Sequence, residues 1–317
     1  MAFLSHYLFY KKEKRVLKKD VYEEFKKLFN RESVNVVLNE LTACASIYGD
    51  LRQPSAANKA SVYLLDMRDL GVEQAYVPLL AAGMRFGVQT QEFKTIADAI
   101  LVYVVRHLVC SQSSNKLDTV FSQACETIKD SSKDATDIVG FFREKRMDDE
   151  KFHAHFAGLT FDYTAKPQRI ARTLLRRVEE YAHGSNYPVQ FNRDEITVEH
   201  VIPKHPEIED LRAWIGAEVD TDDFDVKRFT DQTIKSVGNL ALLFQPENTS
   251  AGNENYASKI SVYTSPMKDK NDKDRGIPRD NFKLIERILS EYPTWFDGKS
   301  VLERSEDLAE LAVAAWA

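Results

Sequence analysis

The sequence predicts a mainly α protein in two parts, a helical domain over residues 1–183 and then, over residues 184–317, a β-β-α unit with flanking helices. Three observations carry this prediction. Between residues 21 and 181 apolar side chains recur at intervals of three and four, with few Gly or Pro, which is helical periodicity. The cluster Gly184, Ser185, Asn186 and Pro188 then breaks the pattern and marks a border. Beyond it, residues 196–202 and 234–244 have the β-branched or continuously apolar composition of short strands.

Taken in order, helices are expected over residues 21–29, 34–47 and 93–109, the last with Ile96, Ile100, Val104 and Leu108 on one stripe. Asn115 is the expected N-cap of a helix carrying Leu117, Val120, Phe121 and Ala124. These stripes mean core packing, not a cofactor box. In the second part Pro203 stops the first strand. A polar insertion follows, with short amphipathic helices at 211–215 and 224–229. The second strand then has a tight turn at Gly238. A capped helix near Asn248, a helix over 282–289 and an Ala-rich terminal helix from Glu306 complete the chain. No internal repeat is present.

Bulk properties limit the function classes. With 317 residues and 43% hydrophobic content, the chain can build a core for each of two domains. Its first apolar run, residues 2–10, is too short to span a bilayer and lacks the flanks of a signal peptide, so no membrane partner is expected. Three scattered cysteines, Cys44, Cys110 and Cys125, make no disulfide framework and fit a reducing cytoplasm. A net charge of −6 argues against holding nucleic acid by bulk electrostatics, so any DNA contact must be local. Lys166, Arg169, Arg172, Arg176 and Arg177 occur without an acid among them, and helical spacing puts Arg169, Arg172 and Arg176 on one face. That face either tracks a phosphate backbone or is a solvated face paired with acids elsewhere. The basic run at residues 11–19 reads as an exposed face or linker.

The residues that carry chemistry are Glu199, His200 and Pro203, then Gly238, Asn239 and Leu240, then Asn248, Asn253, Tyr256 and Lys259. A hydrolytic phosphodiesterase needs a base of near-neutral pKa and a hard divalent ion. Histidine supplies the base. A neighbouring carboxylate and an Asn oxygen suit a single Mg²⁺ or Mn²⁺ and leave positions for water and phosphate. Neighbours on a strand face opposite ways, so Glu199 and His200 can serve one site only where the strand ends, as Pro203 suggests. Asn239 and Asn248 lie nine positions apart, which allows a strand, a turn at Pro246 and a helix start at Asn248, with the metal between strand and helix. Other candidates are weaker: His153 and His155 lie in a helical stretch without a third ligand, and His205 follows the strand-ending proline. Asp220, Asp222, Asp223 and Asp225 lack the glycine and closing Glu of a calcium loop.

Glu-His-Val-Ile-Pro at 199–203, Gly-Asn-Leu-Ala-Leu-Leu at 238–243, and Asn248 followed by Asn253, Tyr256 and Lys259 resemble the HNH domain that ends GmrSD-type restriction proteins. The run from Phe93 to Phe121, with Arg106, Cys110 and Asn115, and the opening from Phe3 to Phe29 resemble their helical middle region. The resemblance implies an HNH (ββα-metal) endonuclease acting on DNA, modified or foreign, in restriction or phage defence. It implies His200 as general base, Glu199 and Asn248 as metal ligands, and Asn239 as the brace of the loop that orients the histidine. Asn253 is matched to a DNA-contacting position and Lys259 to a phosphate contact. Glu199 stands where many HNH enzymes have Asp. Such proteins carry a nucleotide-dependent sensor domain, and the chain has no Gly-x-x-x-x-Gly-Lys-Ser/Thr loop. That sensor is therefore expected on another domain or subunit. A single-metal site cuts one strand per event, so a homo-oligomer would supply the second site for a double-strand break. The alternative is a degenerate HNH unit that binds DNA or protein for the sensor.

Overall fold

Caps and apolar stripes set the helices of the N-terminal unit. The computed structural model describes residues 2–184, 195–205, 227–264 and 282–317. Two compact units divide between Asp148 and Asp149, well before the border expected at residue 183.

The unit Met1–Asp148 consists of α1 (Ala2–Lys12), α2 (Val21–Arg31), α3 (Val34–Arg52), α4 (Ser61–Leu70), α5 (Tyr76–Phe86), α6 (Gln91–Val109), α7 (Ser114–Lys129) and α8 (Ala135–Lys145). Ser33 and Thr90 cap α3 and α6 by accepting the N–H of Val36 and Phe93, and Asp134 forms a reciprocal capping box with Asp137 at α8. Gly71, with φ of 72°, ends α4 in the left-handed conformation that glycine adopts without strain. Helix α5 is buried on every residue from Tyr76 to Gly83 and packs against α1, α3, α6 and α7, as expected for a helix that is apolar all round. Ile96, Ile100 and Val104 of α6 are buried as expected, whereas Leu108 at its end is partly exposed. Asn115 is not a cap: α7 starts at Ser114, one residue earlier, and Ser113 takes the extended N-cap conformation.

The unit Asp149–Ala317 holds α9 (Asp149–Ala157), α10 (Ala165–His183), β1 (Ile196–His200), β2 (Leu240–Phe244), α11 (Gln245–Ala251), α12 (Tyr256–Thr264), α13 (Lys283–Glu291) and α14 (Gly298–Ala315). The strands are antiparallel, with His200 opposite Leu240 and Ile196 opposite Phe244. Every residue of β2 is buried, because α10, α11 and α13 all pack against the two-stranded sheet. A two-stranded sheet is marginal alone, so this helical cover is what makes it stable. Buried Glu179 of α10 accepts the N–H groups of Lys283 and Leu284 and so caps α13 from a neighbouring helix.

Helix α11 starts at Gln245, earlier than the expected start at Asn248, because Phe244 takes the extended N-cap conformation and Pro246 fills the first turn. Asn248 is therefore inside the helix and not at its cap. Helix α14 begins at Gly298, ahead of Glu306, since Asp297 and Ser300 form a capping box there. Residues 234–236 do not join the second strand; a π-helical turn over Thr230–Ile234 and a 3-10 turn over Val237–Asn239 precede it. The short helices expected at 211–215 and over most of 224–229 lie outside the described residues, as do Asp220 to Asp225. No helix among the described residues is long and apolar enough to cross a membrane.

Gly238 shows why this turn admits no side chain. A Cβ there would lie 2.0 Å from the Val301 carbonyl oxygen and 2.3 Å from Ser305 Oγ, so helix α14 leaves room only for a hydrogen. Buried Arg304 of the same helix donates from Nη1 to the Gly238 and Leu240 carbonyl oxygens at 2.6 and 2.7 Å. The terminal helix thus locks the turn that carries Asn239.

Candidate active site

Strand β1 ends at His200, and the chain then bends through Val201 and Ile202. Asn239 holds that bend. Its Oδ1 accepts the Ile202 N–H at 2.7 Å, its Nδ2 donates to the carbonyl oxygens of Ile202 and Ile234 at 3.0 and 2.9 Å, and its own carbonyl accepts the Val201 N–H at 2.9 Å. The side chain is completely buried. A carboxamide suits this position because it is both donor and acceptor, and the backbone of a non-repetitive turn needs both.

His200 is buried, and its ring meets Tyr163 edge to face at 5.4 Å between centroids. Burial pushes its pKa down to about 3, with the Lys204 and Lys259 ammonium groups adding to the effect, so the imidazole is neutral near pH 7. Its Nε2 is buried without a hydrogen-bond partner. A buried ring nitrogen in that condition is uncommon and points to a functional position.

Glu199 is also buried, and one of its oxygens is taken. Oε1 accepts from Lys259 Nζ at 2.7 Å and from Tyr263 Oη at 2.8 Å, and Lys259 Nζ also donates to the His200 carbonyl oxygen at 2.5 Å. Lys259 is wholly buried, and that burial works against its charge while the Glu199 carboxylate opposes the shift. The phosphate contact expected of Lys259 is thus replaced by an internal ion pair that fixes the carboxylate and the backbone beside it. Burial raises the Tyr263 phenol well above its usual pKa, so it stays a donor.

Asn248 reaches β1 from α11. Its Nδ2 donates to Thr197 Oγ1 at 2.8 Å and to the Val198 carbonyl oxygen at 2.9 Å. With the amide nitrogen held in this way, Oδ1 has no protein partner among the described residues. Asn253 is exposed, and its carboxamide pairs with the N–H and C=O of His205 and pins the far end of the bend. The arginine face of α10 is only partly offered to solvent. Arg169 is exposed and Arg172 half-buried, but Arg176 is buried and pairs with Glu180 at 3.4 Å. Arg176 therefore belongs to the fold and cannot track a phosphate backbone. His153 lies on α9 with Glu306 at 3.8 Å, and His205 is exposed after the bend.

The end of β1 thus carries a neutral imidazole with an open nitrogen and a carboxylate with one oxygen uncommitted among the described residues, and α11 lays against that strand a carboxamide whose oxygen has no partner among them. Residues 146–311, just over half the sequence, match the family described as GmrSD restriction endonucleases, C-terminal domain. The chain belongs to that family. The GmrSD C-terminal match places the whole of the Glu199, His200, Asn239 and Asn248 constellation inside a restriction endonuclease domain. No curated protein matches the chain. Sequence reasoning missed Thr197, Tyr163, Tyr263 and Arg304. Their only signal was a polar or aromatic residue at an otherwise apolar position, and that does not name a partner.

Proposed function

We propose that the second unit is an HNH (ββα-metal) nuclease module that hydrolyses DNA phosphodiester bonds with one divalent ion, Mg²⁺ or Mn²⁺. The observation that carries this reading is the orphaned, buried Nε2 of His200 at the end of a strand, where Asn239 locks the following turn. The donor set fits a hard cation: among the described residues Glu199 keeps one oxygen uncommitted and Asn248 leaves Oδ1 without a partner, and both are oxygen ligands of the kind Mg²⁺ and Mn²⁺ prefer. Among the described residues no group of three or more His, Cys, Asp or Glu forms a metal cluster. The proposed set, one carboxylate and one carboxamide, is smaller than such a cluster and leaves positions for water and phosphate. When bound, the ion would offset charge on the scissile phosphate.

The chain's own residues do the rest. Neutral His200 takes a proton from water at Nε2 as the water oxygen attacks phosphorus and the leaving oxygen departs. Asn239 keeps the imidazole in place through the turn it clamps. Lys259 and Tyr263 hold Glu199 in one rotamer, which directs the second oxygen. DNA as substrate is in keeping with the restriction endonuclease family, and this reading takes it to be foreign or modified DNA. The second reading, a binding module without hydrolysis, draws on the Lys259–Glu199 pair, which neutralises the carboxylate without a metal. A plasmid assay separates the two. The purified chain is expected to nick supercoiled plasmid in Mn²⁺ or Mg²⁺ and to stop in EDTA. Plasmid bound but left intact in both metals would favour the binding module.

A further inference from the structure

We infer that Lys204, seated on the ring of Tyr163 beside His200, receives the phosphate group of the DNA strand being cut. The inference rests on the nuclease reading above and adds the substrate contact that reading lacks. Lys204 Nζ lies 5.3 Å from the Tyr163 ring centroid, and the His200 ring meets the same tyrosine at 5.4 Å. One aromatic ring therefore holds the cation and the imidazole in a fixed relation. Lys235 also lies over Tyr163, at 5.9 Å, but Asp162 and Asp231 each sit 2.8 Å from its ammonium, so its charge is already balanced. Lys204 makes no ion pair or hydrogen bond among the described residues, and it is only half-buried. Among the described residues it is a cation held in place without an anion.

Two further atoms on the same pair of rings lack partners. His200 Nε2 and Tyr163 Oη are both buried without a partner, on two rings in contact. Leaving such atoms unpaired costs free energy, which a bound ligand that offers oxygens and a water recovers. A phosphodiester meets all three requirements: negative charge for Lys204, an acceptor oxygen for the tyrosine hydroxyl, and an attacking water for the imidazole. The Asn253 clamp on the His205 backbone fixes the residue next to Lys204, so the ammonium is presented from a braced turn. A single local cation of this kind also suits a chain whose net charge is −6.

The test compares wild type with Lys204→Gln and Lys204→Arg. Binding of a fluorescein-labelled DNA duplex is followed by anisotropy in EDTA over a range of salt. Removing one phosphate contact is expected to reduce the slope of log affinity against log salt by about 1. Lys204→Gln should show that loss and weaker binding, Lys204→Arg should restore most of both, and Mn²⁺ affinity by calorimetry should match wild type in each. Tyr163→Phe, which keeps the ring, should weaken DNA binding without changing the salt slope. A Lys204→Gln slope equal to that of wild type overturns the inference, even if metal-dependent nicking stands. Wild type that shows no Mn²⁺ heat and no nicking overturns the nuclease reading instead, whatever the slopes.

Discussion

Replacing His200 with alanine is expected to slow metal-dependent cleavage by about 10²–10⁴-fold, the usual contribution of a positioned general base. The physical reason is the state of the imidazole. Burial and two nearby ammonium groups keep it neutral at pH 7, in the form that accepts a proton, although they hold its pKa well below the near-neutral value expected of the base. The other histidines of this unit are placed differently: His183 of α10 is buried against Glu179, His205 is exposed beyond the bend, and His153 and His155 lie on α9. The alanine variant should still bind Mn²⁺, because neither ligand oxygen belongs to residue 200. Single-turnover cleavage of a labelled duplex reads the rate and calorimetry reads the metal. Cleavage at the wild-type rate would remove His200 from the chemistry.

Replacing Asn239 with alanine should damage both fold and activity. It would leave the Ile202 N–H and the carbonyl oxygens of Ile202 and Ile234 buried without partners. Each such group costs about 1–3 kcal/mol, so a loss of roughly 3 kcal/mol or more is expected in total. All three tryptophans, Trp214, Trp295 and Trp316, fall within the second unit, so their fluorescence reports its unfolding without a signal from the helical unit. The urea midpoint followed in this way should drop markedly, and nicking should fall even in urea-free buffer because the turn after His200 is loosened. An unchanged midpoint would mean that the carboxamide is not the clamp described above.

The readability of this sequence follows from the range of each interaction. Helical stripes are local, so α2, α3 and α6 could be located from periodicity, and the β-branched run before Pro203 located β1. The nine-residue spacing of Asn239 and Asn248 also reflects local geometry, a short strand and one helical turn. Boundaries were less legible where a distant residue decides them. Leu108 completes the α6 stripe by spacing, yet the stripe is longer than the neighbours that cover it. Arg176 lies on a basic face by sequence but is buried once α10 packs. Lys259 is the clearest case. The resemblance implied a phosphate contact for it, whereas its partner Glu199 is sixty positions away and only folding brings them to 2.7 Å. Tyr263, Thr197 and Arg304 were invisible for the same reason, since a single hydroxyl or guanidinium does not name its acceptor.

In the proposed nuclease, oxygens from Glu199 and Asn248 hold one cation beside His200. Calorimetric titration of Mn²⁺ into wild type and Asn248→Ala tests it most directly. The predicted result is one ion bound per wild-type chain, with that binding lost or weakened by at least about tenfold in the variant. Equal binding by the two proteins, or no binding by either, would contradict the claim.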